Sequence, residues 1–183
     1  ESPRIAKHVH APLQSGSDTV LRRMHRKYRP RHYEDRIRRA RVAMPECGVG
    51  ADVMTGFPGE TDAEFEDSRA FIEALPFTYL HVFTYSARPG TPAANAPQVP
   101  MEVRKHRTKI LRDLSEAKGR AFRESLLGRP LSAVTIEDGL TGLSHNYVKL
   151  SLALRREPNQ IIEVVPGSHT SAGLAERGCL PNL

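Results

Sequence analysis

The chain has no tryptophan, only two cysteines in 183 residues and 6% aromatic residues. Cys47 and Cys179 cannot build a disulfide framework and nothing else marks a secreted protein, so a reducing cytoplasm is the expected location. Two thiolates also cannot hold an iron–sulfur cluster alone. No run of eighteen apolar residues is present, which excludes a membrane-spanning helix. The opening Glu1-Ser2-Pro3 is not a basic-then-apolar leader. Low-complexity tracts and internal repeats are absent too. What remains is 39% hydrophobic and 26% charged, enough for a sizeable core in one domain or in a medium domain plus a small one.

The charge is uneven. Lys and Arg number 27 against 21 Asp and Glu, a net +6 that lies entirely in residues 1–126, because residues 127–183 carry five of each sign. Within Arg22–Arg41, ten basic residues face only Glu34 and Asp35. Such density attracts a polyanion through phosphate contacts that release counterions. A solvated helix face is the commoner reading of a charge run. Interleaved His25, Tyr28 and Tyr33 bring the nucleic-acid reading level with it.

Three segments read as strands: residues 6–13, 49–56 and 79–85. Helical patterns separate them, at Asp18–Met24 with Asp18 as a possible cap, at Tyr33–Met44, and after the capping-box pattern Thr61-Asp62-Ala63-Glu64. Strand, helix, strand, helix, strand predicts an α/β domain with parallel strands, whose ligands sit beyond the carboxyl ends. Polar, glycine-rich turns stand at those ends: Gln14–Asp18, Gly56–Glu60 and Ser86–Thr91. A long helix is predicted over Met101–Leu126, with Val103, Ile110, Leu114, Ala117 and Ala121 as its apolar stripe. Beyond it the runs 131–137, 147–154 and 160–165 predict a small, barrel-like β module, with a turn at Pro166-Gly167. The expected division is therefore 1–126 and 127–183.

Taken singly the motifs are weak. His8-x-His10 places two imidazoles on one strand face, yet no third ligand follows at close spacing and no metal is expected. Gly56-Phe57-Pro58-Gly59-Glu60 lacks the lysine of a phosphate loop, and Glu60 would repel phosphate, so close backbone approach to a flat or zwitterionic ligand competes evenly with a structural turn. Gln14-Ser15-Gly16-Ser17 offers an amide and two hydroxyls at a strand end. Cys47 has no base nearby and reads as structural. No nucleophile–base pairing or paired carboxylates mark a hydrolase.

Quoted whole, the strand-end segments go further. The run His8–Met24 (HVHAPLQSGSDTVLRRM), the run Asp52–Thr61 (DVMTGFPGET) and the run His81–Ala94 (HVFTYSARPGTPAA) resemble, in order and spacing, three hallmarks of the radical S-adenosylmethionine methylthiotransferases. The β module is similar to the RNA-holding TRAM domain that ends these enzymes. Its Gly142–Leu150 segment resembles most the subgroup acting on N6-threonylcarbamoyladenosine at position 37 of tRNA, with the isopentenyladenosine-specific group as runner-up and a non-catalytic RNA-binding module as the competing class.

The resemblance implies the C-terminal half of a partial (β/α)6 barrel followed by a TRAM barrel, without the cysteine loop that holds the radical-generating [4Fe-4S] cluster. The chain alone is thus expected to be inactive, with the N-terminal half of the enzyme and tRNA as partners and an unpaired sheet edge. In the family, cluster and S-adenosylmethionine generate a radical that opens carbon 2 of the target adenine to sulfur and methyl. By motif position, Gln14, Ser15 and Ser17 are candidates for the methionyl end of the cofactor, and Gly56 and Phe57 for its sugar or adenine. The main chain near Phe83 would line the adenine, and Asp52 is either a polar contact or a satisfied buried acid. Arg22, Arg23, Arg26 and Lys27, with Asn146, Tyr147 and Lys149 of the β module, are candidates for the RNA.

Overall fold

Alternating burial builds the first sheet. In the computed structural model, which describes residues 5–136 and 138–178, β1 (His8–His10), β2 (Gly48–Thr55) and β3 (Tyr79–Thr84) form a three-stranded sheet in the order β1-β2-β3. β2 and β3 run parallel in the register Asp52↔His81 and Thr55↔Thr84. Ala51, Val53, Leu80 and Val82 are buried, whereas Asp52, His81 and Phe83 are not, so the sheet has an apolar face and a polar one. Crossovers supply the helices α1 (Asp18–Arg23), α2 (Pro30–Ala43) and α3 (Asp62–Ala74). α2 starts three residues before the expected Tyr33 because Pro30, whose ring presets a helical φ, occupies its first turn. The N-cap of α1 is Ser17, not the expected Asp18, which instead pairs with Arg22 at 2.8 Å. α3 is opened by the expected capping box of Thr61 and Glu64.

The long helix α4 (Met101–Glu124) forms, but its buried face is not the expected stripe. Ala117 and Ala121 are exposed, while Arg104, Arg107, Thr108 and Leu111 are buried. Polar tips on this face meet polar backbone at the strand ends, so apolar periodicity misplaces it.

The remaining strands are β4 (Leu131–Thr135), β5 (Thr141–Ser144), β6 (Lys149–Ser151), β7 (Ile161–Val164), β8 (Pro166–His169) and β9 (Leu174–Glu176). They form one sheet in the order β7-β4-β5-β6-β9-β8. Its two edge strands are joined through Val165 alone, so the sheet must curl until its edges approach. The Pro166-Gly167 turn expected from sequence is instead the start of β8, an edge strand where proline costs no ladder bond. Leu126, Leu131, Ala133, Val148, Leu150, Leu152, Val164 and Leu174 fill this module's core, with Phe122, Leu127 and Ile162 packed against them. Fully burying one such leucine contributes about 2 kcal/mol.

Contacts divide the chain into two compact units, one of Val9–Pro45 and Val49–Lys118, the other of Glu1–His8, Glu46–Gly48 and Gly119–Leu183. Among the described residues no helix is long and apolar enough to cross a membrane. Cys179 and Glu137 lie outside the described residues.

Candidate functional site

The carboxyl ends of the three parallel strands lie side by side on one edge of the sheet. Gln14 bridges Val53 in parallel, and the Met54 N–H donates to the Gln14 carbonyl at 2.8 Å. The Tyr85 N–H donates to the Thr55 carbonyl at 2.9 Å. Gln14, four residues beyond the end of β1, takes a φ of +67°, a left-handed turn at the last bridge to β2. Phe57 and Tyr85, from the second and third turns, meet edge to face with ring centroids 5.5 Å apart.

Buried polar groups hold these turns. Glu60 is 5% exposed and accepts hydrogen bonds from the Gly56 N–H at 2.8 Å and from Arg107 at 2.7 Å. Burial pushes the Glu60 carboxyl up, and the Gly56 amide and Arg107 pull against that. Arg104 donates to the carbonyls of Val99 at 2.5 Å and Tyr85 at 3.1 Å, and its stem fills the space beneath Gly56. A Cβ on Gly56 would lie 2.3 Å from the Arg104 Cγ, and its φ of +70° also demands glycine. Thr108 joins Thr55 and Thr84 through hydroxyls at 2.7 and 2.8 Å. Arg104, Arg107 and Thr108 escaped the sequence reading because the strand-end partners that bury them lie 19 to 53 residues away.

The first turn is braced separately. Ser15 and Ser17 are 0% and 2% exposed. The Ser15 Oγ accepts from the Ser17 N–H at 3.2 Å, the Ser17 and Thr19 hydroxyls are 3.0 Å apart, and the Gly16 N–H donates to the Ser68 Oγ. Arg23 grips the Glu64 carboxylate with bonds of 2.8 and 2.7 Å and reaches the Gly59 carbonyl at 3.3 Å. The hydrogen bond from Arg23 holds the Glu64 carboxyl down to about 2.

On the polar face of the sheet stand His10, Asp52, Tyr79, His81 and Phe83. Phe83 is 52% exposed, and Phe57 and Gln14 are half-buried. Gln14, Asp52, Phe57 and Phe83 therefore present surface, whereas Ser15, Ser17 and Gly56 spend their polar groups internally. The structure thus offers a nucleoside-bearing cofactor an amide, a carboxylate and two aromatic rings. It offers an iron–sulfur cluster nothing: among the described residues the one cysteine is Cys47, buried, with its thiol donating to the Gly48 carbonyl at 3.2 Å. The His8–His10 pair is not what the fold gathers. His8 stacks on Tyr147 at 4.3 Å, while His10 meets Asp52 and His81.

Of the basic candidates, Arg22 is tied to Asp18 and Arg23 to Glu64, while Arg26 and Lys27 are exposed. In the β module Lys149 is exposed on β6 and Tyr147 is half-exposed at a φ of +69°. Asn146 is 0% exposed, its Oδ1 accepting from the Ser144 hydroxyl at 2.6 Å.

Residues 3–72 match the family described as the Radical SAM superfamily. Among curated proteins, a tRNA-2-methylthio-N(6)-dimethylallyladenosine synthase of Coxiella burnetii is 39% identical over 163 residues, 88% of this chain and 36% of that protein. A protein of the same name from Legionella pneumophila is 40% identical, covering 88% and 35%. A threonylcarbamoyladenosine tRNA methylthiotransferase of Aquifex aeolicus is 34% identical, covering 88% and 40%. The chain thus spans little more than a third of the length of the curated relatives it matches. Its strand-end turns, its parallel sheet and these likenesses agree: over residues 3–72 the chain is similar to the radical SAM superfamily, and over 163 residues to proteins named as tRNA methylthio-adenosine synthases and a tRNA methylthiotransferase.

Proposed function

We propose that this chain is the C-terminal part of a tRNA methylthiotransferase that installs a methylthio group on carbon 2 of an N6-modified adenosine at position 37. The likeness to enzymes of that name over 88% of the chain carries the reading. S-adenosylmethionine and [4Fe-4S] clusters supply the radical and sulfur chemistry in the full-length enzyme, and the cluster ligands come from the section this chain does not include. The chain's own residues position and exclude. Gln14 and Asp52 offer polar contacts to the zwitterionic end of the cofactor, and Phe57 and Phe83 present ring surface to its adenine. The buried Glu60–Arg107 and Arg104 anchors fix the turns that carry them. Alone, the chain does not turn over.

Arg22, Arg26 and Lys27 bind the tRNA backbone, with Arg23 acting chiefly as the brace of the site. In the β module, a TRAM-like unit in this reading, Tyr147 and Lys149 contact the RNA, and Asn146 shapes the turn that presents Tyr147. The substrate is N6-threonylcarbamoyladenosine in this reading, supported by the Gly142–Leu150 segment. The higher identity to the dimethylallyladenosine synthases, 39–40% against 34%, favours the alternative N6 substituent. One experiment tests both. The complete enzyme, reconstituted anaerobically, is given tRNAs bearing each modification, and the nucleosides are resolved by mass spectrometry. A methylthio product on the threonylcarbamoyl tRNA is expected; product on the dimethylallyl tRNA alone selects the other substrate, and product on neither overturns the reading.

A further inference from the structure

We propose that His10, Asp52 and His81 bind one divalent transition-metal ion of the zinc or ferrous class, with a coordination position left open. The three residues come from β1, β2 and β3, and one donor atom from each lies within 4.8 Å of the others. Asp52 and His81 are direct partners in the parallel register, so their side chains leave the same face of the sheet. His10 reaches them from the neighbouring strand, with its Nε2 3.2 Å from the Asp52 Oδ1.

Two features set this group apart from a chance cluster of surface residues. First, the other nitrogen of His10, Nδ1, lies 3.1 Å from the Tyr79 hydroxyl. In the tautomer whose Nδ1 donates to that oxygen, Nε2 carries the lone pair, the arrangement an outer-shell partner gives a ligating imidazole. Secondly, the sheet makes room for this partner. A Cβ on Gly50 would lie 2.0 Å from the Tyr79 Cζ and 2.2 Å from its hydroxyl oxygen, so only glycine lets Tyr79 lie across the sheet. Tyr79 also packs edge to face against His81, with centroids 5.2 Å apart, and so positions both imidazoles.

Two imidazoles and one carboxylate suit zinc or ferrous iron, and are a poor match for magnesium or calcium, which take oxygen ligands. In a tetrahedral zinc site with bonds of about 2.0–2.1 Å the donors stand about 3.4 Å apart, so rotamer shifts of about 1 Å complete the geometry. Three protein ligands leave a fourth position for water or for an oxygen or sulfur of a bound molecule. His10 and His81 are exposed and Asp52 partly so, which gives the ion an entry path. This site shares Asp52 with the cofactor contacts of the methylthiotransferase reading, and its test is read on the chain without any cofactor, so either can fail without the other.

The test titrates zinc into the metal-free chain by calorimetry, with cobalt as a spectroscopic reporter and ring-nitrogen NMR of the histidines. One equivalent should bind saturably, and the resonances of His10 and His81 should shift together. Asp52→Asn and His81→Gln should each weaken binding by at least about 100-fold, and Tyr79→Phe by about tenfold. His106→Gln, an exposed histidine on α4, should change nothing. The proposal is overturned if zinc fails to saturate a single site, or if the NMR shifts fall on other histidines. Retention of affinity in either ligand variant, with folding verified by circular dichroism, overturns it as well.

Discussion

Replacing Glu64 tests how the first two turns are held. Its carboxylate accepts two bonds from Arg23, one from Thr19 at 2.5 Å and the Thr61 N–H of the capping box at 2.9 Å. A carboxyl held at about 2 against an ordinary 4.5 corresponds to roughly 3 kcal/mol at full strength. The Arg23 side chain is 37% exposed, so screening reduces this to about 1.5 kcal/mol. Loss of the capping box adds about 0.5–1 kcal/mol. Glu64→Gln, which keeps the shape, should therefore cost about 1.5 kcal/mol at pH 7, and Glu64→Ala about 2 kcal/mol. In urea unfolding both should lower the midpoint with the slope unchanged. A depressed carboxyl contributes stability that is complete above the unfolded value of 4.5 and is lost as pH falls through about 2. The gap between wild type and Glu64→Gln should thus be full above pH 4.5 and vanish near pH 2. A gap under about 0.3 kcal/mol at pH 7, or one that persists undiminished at pH 2, refutes the reasoning.

Arg107→Leu leaves Glu60 buried without its cation and should cost about 3–5 kcal/mol, while Glu60→Gln with Arg107→Met should recover much of that loss in the same urea assay. Gly50→Ala should displace Tyr79, visible as a shift of its ring resonances and of those of His10, with the Gly142→Ala control, whose added Cβ meets nothing nearer than 3.5 Å, leaving them in place. Changing Arg22, Arg26 and Lys27 together to glutamate should weaken tRNA binding by the complete enzyme and lower the slope of log K against log salt by up to about 3. An unchanged slope removes the basic segment from RNA binding.

Much of the parallel domain was legible because its signals are local. The Thr61–Glu64 capping box, the strand patterns at 49–56 and 79–85 and the glycine turns after them are all read within ten residues. Other features answer to distant partners. α4 buries Arg104, Arg107 and Thr108 because strand-end carbonyls, a buried carboxylate and two threonines meet them there, so a search for apolar periodicity turned the helix the wrong way. β5, β8 and β9 are three or four residues long and stand among glycine and serine residues that read as turns, and Pro166-Gly167 imitates a turn while serving at a sheet edge. The His10–Asp52–His81 group is spaced 42 and 29 residues apart in the chain and exists only once the strands pair. Its one local sequence signal is His8-x-His10, of which only His10 joins the group.

The proposed function rests on the carboxyl edge of the three-stranded sheet holding the cofactor through Gln14, Phe57 and Phe83. Its most direct measurement is the methylthio-nucleoside content of tRNA from cells whose only copy of the complete enzyme carries Gln14→Ala, Phe57→Ala or Phe83→Ala. The account predicts at least a tenfold fall at unchanged protein level and tRNA affinity, with Val42→Ala on the outer surface of α2 as a silent control. Full methylthiolation in all three variants would contradict it.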